Sequence, residues 1–67
     1  MIQVSVNGVT QSYEQPLAVS ELLRRMALAG KKVAVERNGE IVPRGEHGST
    51  QVADGDRLEI VVAVGGG

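Results

Sequence analysis

The chain has 67 residues, 42% of them apolar and 22% charged, with a formal net charge of −1 and no cysteine. That length supplies one domain with a thin core, because so short a chain buries only about 60% of the surface its unfolded form exposes. The balance argues against a nucleic-acid binder, which needs clustered Lys and Arg to release counterions, against thiolate chemistry of any kind, and against a membrane helix of about 20 apolar residues.

Basic residues are adjacent only as the pairs Arg24-Arg25 and Lys31-Lys32, and the N-terminus lacks the charged-then-apolar pattern of a secretory signal. A cytoplasmic location is the expectation. Tyr13 is the single aromatic residue, so Val, Ile, Leu and Met must build the core.

Ile2, Val4 and Val6 alternate with Gln3, Ser5 and Asn7, the period of a half-buried strand. Asn7-Gly8 is a hairpin turn, since both residue types tolerate positive φ. Val9 to Tyr13 returns, and Pro16 ends the strand because proline has no N–H for the ladder. Val19, Leu22, Leu23 and Met26 then fall at i, i+3, i+4 and i+7, one face of a helix. Glu21 stands where a capping box places its acid, but Ala18 has no side-chain oxygen to complete the box, which predicts a weak helix start. Gly30 is the expected C-terminal stop. Leu28 lies off the apolar stripe and is expected to pack as the chain leaves the helix.

Val33 to Arg37 is a third strand with Val33 and Val35 on one face, and Asn38-Gly39 a second hairpin turn. Glu40 to Val42 is a short strand ended by Pro43. Pro43 to Ser49 lacks a period and reads as an irregular loop. Thr50 to Val52 can pair briefly, Asp54-Gly55 turns the chain, and Arg57 to Val64 is the last and most apolar strand.

This order predicts an α+β domain over residues 1–64, with one helix on one face of a mixed sheet of four to five strands. Leu58, Ile60, Val62 and Val64 are expected to face the helix. Val61 and Ala63 then point to the open face, as a docking surface or as residues covered by their neighbours.

Gly65, Gly66 and Gly67 form a glycine tail after that strand. Glycine loses the most backbone entropy on ordering, so three in a row do not extend a strand. Extended, they reach roughly 10 Å past Val64, comparable to the radius of gyration of about 11 Å expected for the body. Without side chains the tail fits a narrow cleft, and its terminal carboxyl carbon is open to attack. A frayed end is the alternative, but a frayed end does not require this composition directly after an apolar strand.

The opening hairpin, the helix start Val19-Ser20-Glu21-Leu22-Leu23, Asn38-Gly39 leading into Ile41-Val42-Pro43-Arg44, the Asp54-Gly55-Asp56 turn and the Gly66-Gly67 end together resemble the ThiS sulfur carriers, of the ubiquitin-like β-grasp group. The resemblance spans essentially the whole chain. The diglycine end alone is shared with MoaD and with ubiquitin-like modifiers. Ala18 stands where the family leads us to expect Thr.

The resemblance implies a β-grasp fold with the first and last strands paired in parallel, and a protein that is a co-substrate rather than an enzyme. A ThiF-like adenylating enzyme would activate the Gly67 carboxylate with ATP, and a sulfur donor protein would convert it to a thiocarboxylate. A ThiG-like thiazole synthase would then receive the sulfur for thiamine biosynthesis. No cofactor is expected on the chain itself. A MoaD-like carrier for molybdopterin, a ubiquitin-like modifier and a non-catalytic β-grasp interaction module remain as alternatives. Gly65 and Gly66 are then the part of the tail that enters a partner.

Other polar groups carry weaker signals. Arg44 either contacts an acidic patch on the activating enzyme or is a solvated residue after Pro43. His47, beside Glu46, lacks the three or more ligands of a zinc site and reads as a surface-loop residue. Asp56 and Arg57 read as turn chemistry with weak surface electrostatics.

Overall fold

The computed structural model describes residues 1–63. The expected alternation produces β1 (Ile2–Val6) and β2 (Val9–Tyr13), joined by Asn7 and Gly8 at φ 51° and 83°. Two successive left-handed residues give a type I′ turn, whose twist matches that of the strands. The same device, Asn38 and Gly39 at φ 53° and 87°, joins β4 (Val33–Arg37) to β5 (Glu40–Val42). With β7 (Arg57–Val62), these strands form one sheet in the order β2-β1-β7-β4-β5. β7 runs parallel to β1, with Ser5 opposite Arg57 and Val6 opposite Leu58, and antiparallel to β4. The most apolar strand is thus the central one, as a strand flanked on both edges should be.

A second, two-stranded ladder pairs β3 (Leu17–Ala18) with β6 (Gln51–Val52). The brief strand expected at Thr50 to Val52 therefore exists, and its partner lies directly before the helix. Leu17 and Val52 face each other and are both buried, closing the core beneath α1 (Val19–Arg25).

Val19, Leu22 and Leu23 of α1 pack on Ile2, Val4, Val6, Val35, Val42, Leu58 and Ile60, with Tyr13, Met26, Leu28 and Val33 around the edge. Leu22 and Leu58 are fully buried. Truncating such a residue to Ala costs roughly 2–5 kcal/mol, a large part of the roughly 5–15 kcal/mol that stabilises a small domain.

The two helix ends depart from expectation. Ala18 is the N-cap and makes no side-chain bond, yet the start is not left open: the Val19 N–H donates to the Thr50 carbonyl and the Ser20 N–H to the His47 carbonyl, both at 2.9 Å. The 43–49 loop, which contains a single 3₁₀ turn at Arg44–Glu46, and Thr50 directly after it supply the cap that the side chain lacks. At the other end the helix ends at Arg25 with Met26 as its C-cap, and Ala27, at φ 61°, turns the chain away three residues before Gly30. The Leu28 N–H bonds the Leu23 carbonyl at 2.8 Å and the Ala27 N–H bonds that of Arg24 at 3.1 Å. That is a Schellman closure, in which Leu28 folds back onto the core. Gly30, at φ 82°, belongs to the next turn, in which the Lys31 N–H bonds the Leu28 carbonyl.

On β7, Leu58 and Ile60 face the helix and are buried as expected, but Val62 is 40% exposed. Seven helical residues span only about 10 Å, against about 20 Å for the six residues of β7. The helix therefore leaves the end of the strand uncovered. Val64 lies outside the described residues.

Candidate functional site

β7 carries the chain toward the glycine tail, and two asparagines from the hairpin turns fix its position. At its start, the Arg57 N–H donates to Asn38 Oδ1 (2.9 Å), and the Asn38 N–H donates to the Arg57 carbonyl (2.7 Å). Midway, the Ile60 N–H donates to Asn7 Oδ1 (2.8 Å), while Asn7 Nδ2 donates to the Ile60 carbonyl (3.1 Å). The Asn7 N–H also bonds the Leu58 carbonyl at 2.9 Å. The carboxamide acts as one more peptide unit of β1, continuing the parallel ladder past the point where the backbone turns away. The last described link is the Ala63 N–H, which bonds the Lys32 carbonyl at 2.8 Å.

Asp56, just before β7, is not a surface partner of Arg57. It is 8% exposed and accepts from Arg37 Nε (2.7 Å), from the Ala53 N–H (2.8 Å) and from Asn38 Nδ2 (3.1 Å). Burial alone would raise its pKa. The Ala53 N–H, the Arg37 guanidinium and the Asn38 amide outweigh that effect and hold it below the usual carboxylate value. The sequence expectation fails here because the fold, not adjacency along the chain, chooses the cation. On α1, hydrogen bonds from Arg24 and then Arg25 pull Glu21 down to about 2.

The face of the sheet opposite α1 carries the first part of the predicted docking surface. Val61 is 64% exposed, lies opposite Ala34 and shares the face with Ala63 by alternation along the strand. Ile41 on β5, 63% exposed and opposite Glu36, extends the apolar area. Glu36 in turn lies directly across from Glu59.

Arg44 does not join this face. It lines a cleft of about 220 Å³ on the helix side with Leu23, Leu28, Lys31, Val33 and His47. The predicted set of Val61, Ala63 and Arg44 is therefore divided between two faces that flank the end of β7. Arg44 is exposed, and the ion pairs among the described residues are Arg24–Glu21, Arg25–Glu21 and Arg37–Asp56. His47 departs from its reading as a surface-loop residue: it is 8% exposed, and its Nε2 lies 3.1 Å from the Val42 carbonyl. Its ring anchors the loop whose carbonyls cap α1, a long-range role that local composition does not signal.

Gly65, Gly66 and Gly67 lie outside the described residues. Sequence reasoning missed Asn7 and Asn38 as supports of β7, having accounted for both by turn geometry. It also missed Ala34, which lies opposite Val61, and Ile41, which lies opposite Glu36 one strand further out, as parts of the open face, although their alternation with Val35 and Val42 carried that signal. Among the described residues, no group of three or more His, Asp or Glu side chains is placed to hold a metal ion, and no helix is long and apolar enough to cross a membrane.

The ThiS family profile matches residues 4–67, through the final glycine. The fold superposes on the crystal structure of the thiamine biosynthesis protein ThiS from Geobacter metallireducens with a TM-score of 0.83 and 36% identity, covering 98% of this chain and 100% of that one. A thiazole synthase from Paramagnetospirillum magneticum is 41% identical over 66 residues, which are 98% of this chain but 20% of that protein, so the chain spans about a fifth of that relative's length. The uncharacterized protein ycf40 of Porphyra purpurea is 32% identical over 98% of this chain and 93% of its own length. The family match over residues 4–67, together with a β-grasp sheet and single helix that coincide with those of a solved member, shows that this chain belongs to the ThiS family.

Proposed function

We propose that this chain is a sulfur carrier of thiamine biosynthesis, with a folded body at residues 1–64 that presents a tail at 65–67, and with Gly67 as the reactive residue. The observation that carries the reading is the family match running through Gly67, on a chain without cysteine. Without a thiol, sulfur has to travel on a carboxyl carbon. In the proposed cycle a Gly67 carboxylate oxygen attacks the α-phosphorus of ATP on an adenylating partner and pyrophosphate leaves. Hydrosulfide delivered by the sulfur donor then attacks the acyl carbon, AMP departs with the bonding electron pair, and loss of the sulfur's proton leaves a thiocarboxylate. The chain supplies the acyl group and its presentation and the partners supply the catalysis, so the protein is a co-substrate rather than an enzyme. The similarity to thiazole synthases, in which this sequence corresponds to a fifth of the protein, supports a thiazole synthase as the acceptor. A cytoplasmic location, where ATP is available to the adenylating partner, is part of the proposal.

Gly65 and Gly66 are proposed to enter the partner's cleft. Val61 and Ala63 on the open face, and Arg44 on the helix side, are proposed to meet partner surfaces. Deleting Gly66 and Gly67 tests the reading: the truncated protein should fold normally and fail to restore thiamine-independent growth. Normal growth with the truncated protein would refute it.

A further inference from the structure

The face of the sheet opposite α1 holds two features that the isolated fold does not explain. Val61 and Ile41 are more than 60% exposed, with Ala34 beside Val61. Next to them, Glu36 and Glu59 sit directly opposite each other on adjacent antiparallel strands. Like charges in that position destabilise a sheet. No described cation lies within ion-pair distance of either carboxylate. Arg57 lines a hollow of about 150 Å³ with Glu36, Gly39 and Glu59 but stops short of that distance. Asp56, by contrast, is fully partnered. The fold thus satisfies one carboxylate and leaves an adjacent pair unmatched beside an apolar patch.

The tail restricts what can cover this patch. Gly67, the reactive residue of that reading, is four residues beyond Ala63, a reach of about 14 Å at most. A partner that holds the Gly67 carboxylate in its active site must therefore also touch the body near the end of β7. Glu36, Glu59 and Val61 are on β7 or the strand beside it. Resting on the sulfur-carrier reading above, we infer that the open sheet face docks on the adenylating partner through an apolar surface carrying an arginine or lysine that inserts between Glu36 and Glu59. A guanidinium suits the position best, because its fork of N–H donors serves two carboxylates at once. Removal of their mutual repulsion on docking makes the pair favourable only in the complex, so it selects for the cationic partner and against neutral or acidic surfaces.

The test compares the full-length wild type, Glu36→Gln/Glu59→Gln, and a charge-matched control, Glu14→Gln/Glu46→Gln, in binding to the cognate adenylating enzyme at low and high salt. The rate of ATP–pyrophosphate exchange and the melting temperature are measured alongside. The Glu36/Glu59 variant should melt higher than wild type, bind about tenfold more weakly at low salt with a flatter salt dependence, and raise KM with kcat retained. The control should bind as wild type does. Equal affinity of the Glu36/Glu59 variant and wild type, or equal weakening in the control, overturns the inference while leaving the carrier reading intact. A wild type that supports no exchange overturns both.

Discussion

The Asn7 carboxamide engages both backbone groups of Ile60, accepting from its N–H at 2.8 Å and donating to its carbonyl at 3.1 Å across 53 positions of sequence. A turn residue of the first hairpin thereby holds the final strand in place three residues before the last described residue. Asn7 does two jobs at once, occupying the left-handed region at φ 51° and extending the sheet.

Those jobs separate by mutation. Asn7→Gly keeps the turn geometry and removes the carboxamide, leaving two β7 backbone groups without their partner. It should cost about 1–2 kcal/mol, read from urea unfolding. Asn7→Ala should cost about 1 kcal/mol more, since alanine is strained at positive φ. Equal stability of Asn7→Gly and wild type would show that the amide adds nothing.

Asp56→Ala should destabilise the fold by about 2–3 kcal/mol, because it strands the Ala53 N–H and removes a charge-assisted bond to Arg37. The pH dependence follows from the sign of the shift. The folded-state pKa is depressed, so the stabilisation is complete above the unfolded value of about 3.9 and is lost as pH falls below that through the folded value. Stability measured from neutral pH downward should show this acid-limb loss in wild type, with a smaller loss in Asp56→Ala. Identical acid limbs would exclude Asp56 as a source.

Ala27 closes the helix at φ 61°. Ala27→Gly removes the steric cost of that conformation and adds chain entropy to the unfolded state, for a net gain of up to about 1 kcal/mol. Gly30→Ala, also at positive φ, should destabilise by a similar amount. Thermal melts of the two variants moving in opposite directions would support this account of the helix end; a loss in Ala27→Gly would contradict it.

His47 and Ala18 together test the loop-supplied cap. His47→Ala should lower stability by about 1–2 kcal/mol, since it removes the bond to Val42 that holds the capping loop. Ala18→Thr should gain only about 0.5 kcal/mol, below the usual worth of a side-chain cap, because the His47 carbonyl already takes the Ser20 N–H. In a His47→Ala background the Ala18→Thr gain should be larger. Additive effects in the double mutant would mean the two caps act independently.

Much of this fold is written locally. The alternation at Ile2–Val6, Val33–Arg37 and Leu58–Ile60, the two Asn-Gly turns and the spacing from Val19 to Met26 each determine their own element. What is not legible depends on distant partners. Ala18 looks like a defective cap until the 43–49 loop folds over it, and His47 looks exposed until its ring reaches Val42. Asp56 and Arg57 are neighbours in sequence, yet the sheet gives Asp56 to Arg37. Arg44 and Val61 both lie near the end of β7, but β4 and β7 stand between them as the sheet itself, so no reading of spacing could place them on opposite sides. The glycine tail is legible by composition alone, and only the family resemblance gives it a chemistry.

The proposed carrier function depends on sulfur riding on the Gly67 carboxyl. The direct measurement is the intact mass of the protein after incubation with ATP, the cognate adenylating enzyme and a sulfur donor. The expected product is a species in which one oxygen is replaced by sulfur, located to the C-terminal peptide on fragmentation and absent when ATP is omitted. Unmodified protein under those conditions, or only lysine-linked conjugates, would contradict it.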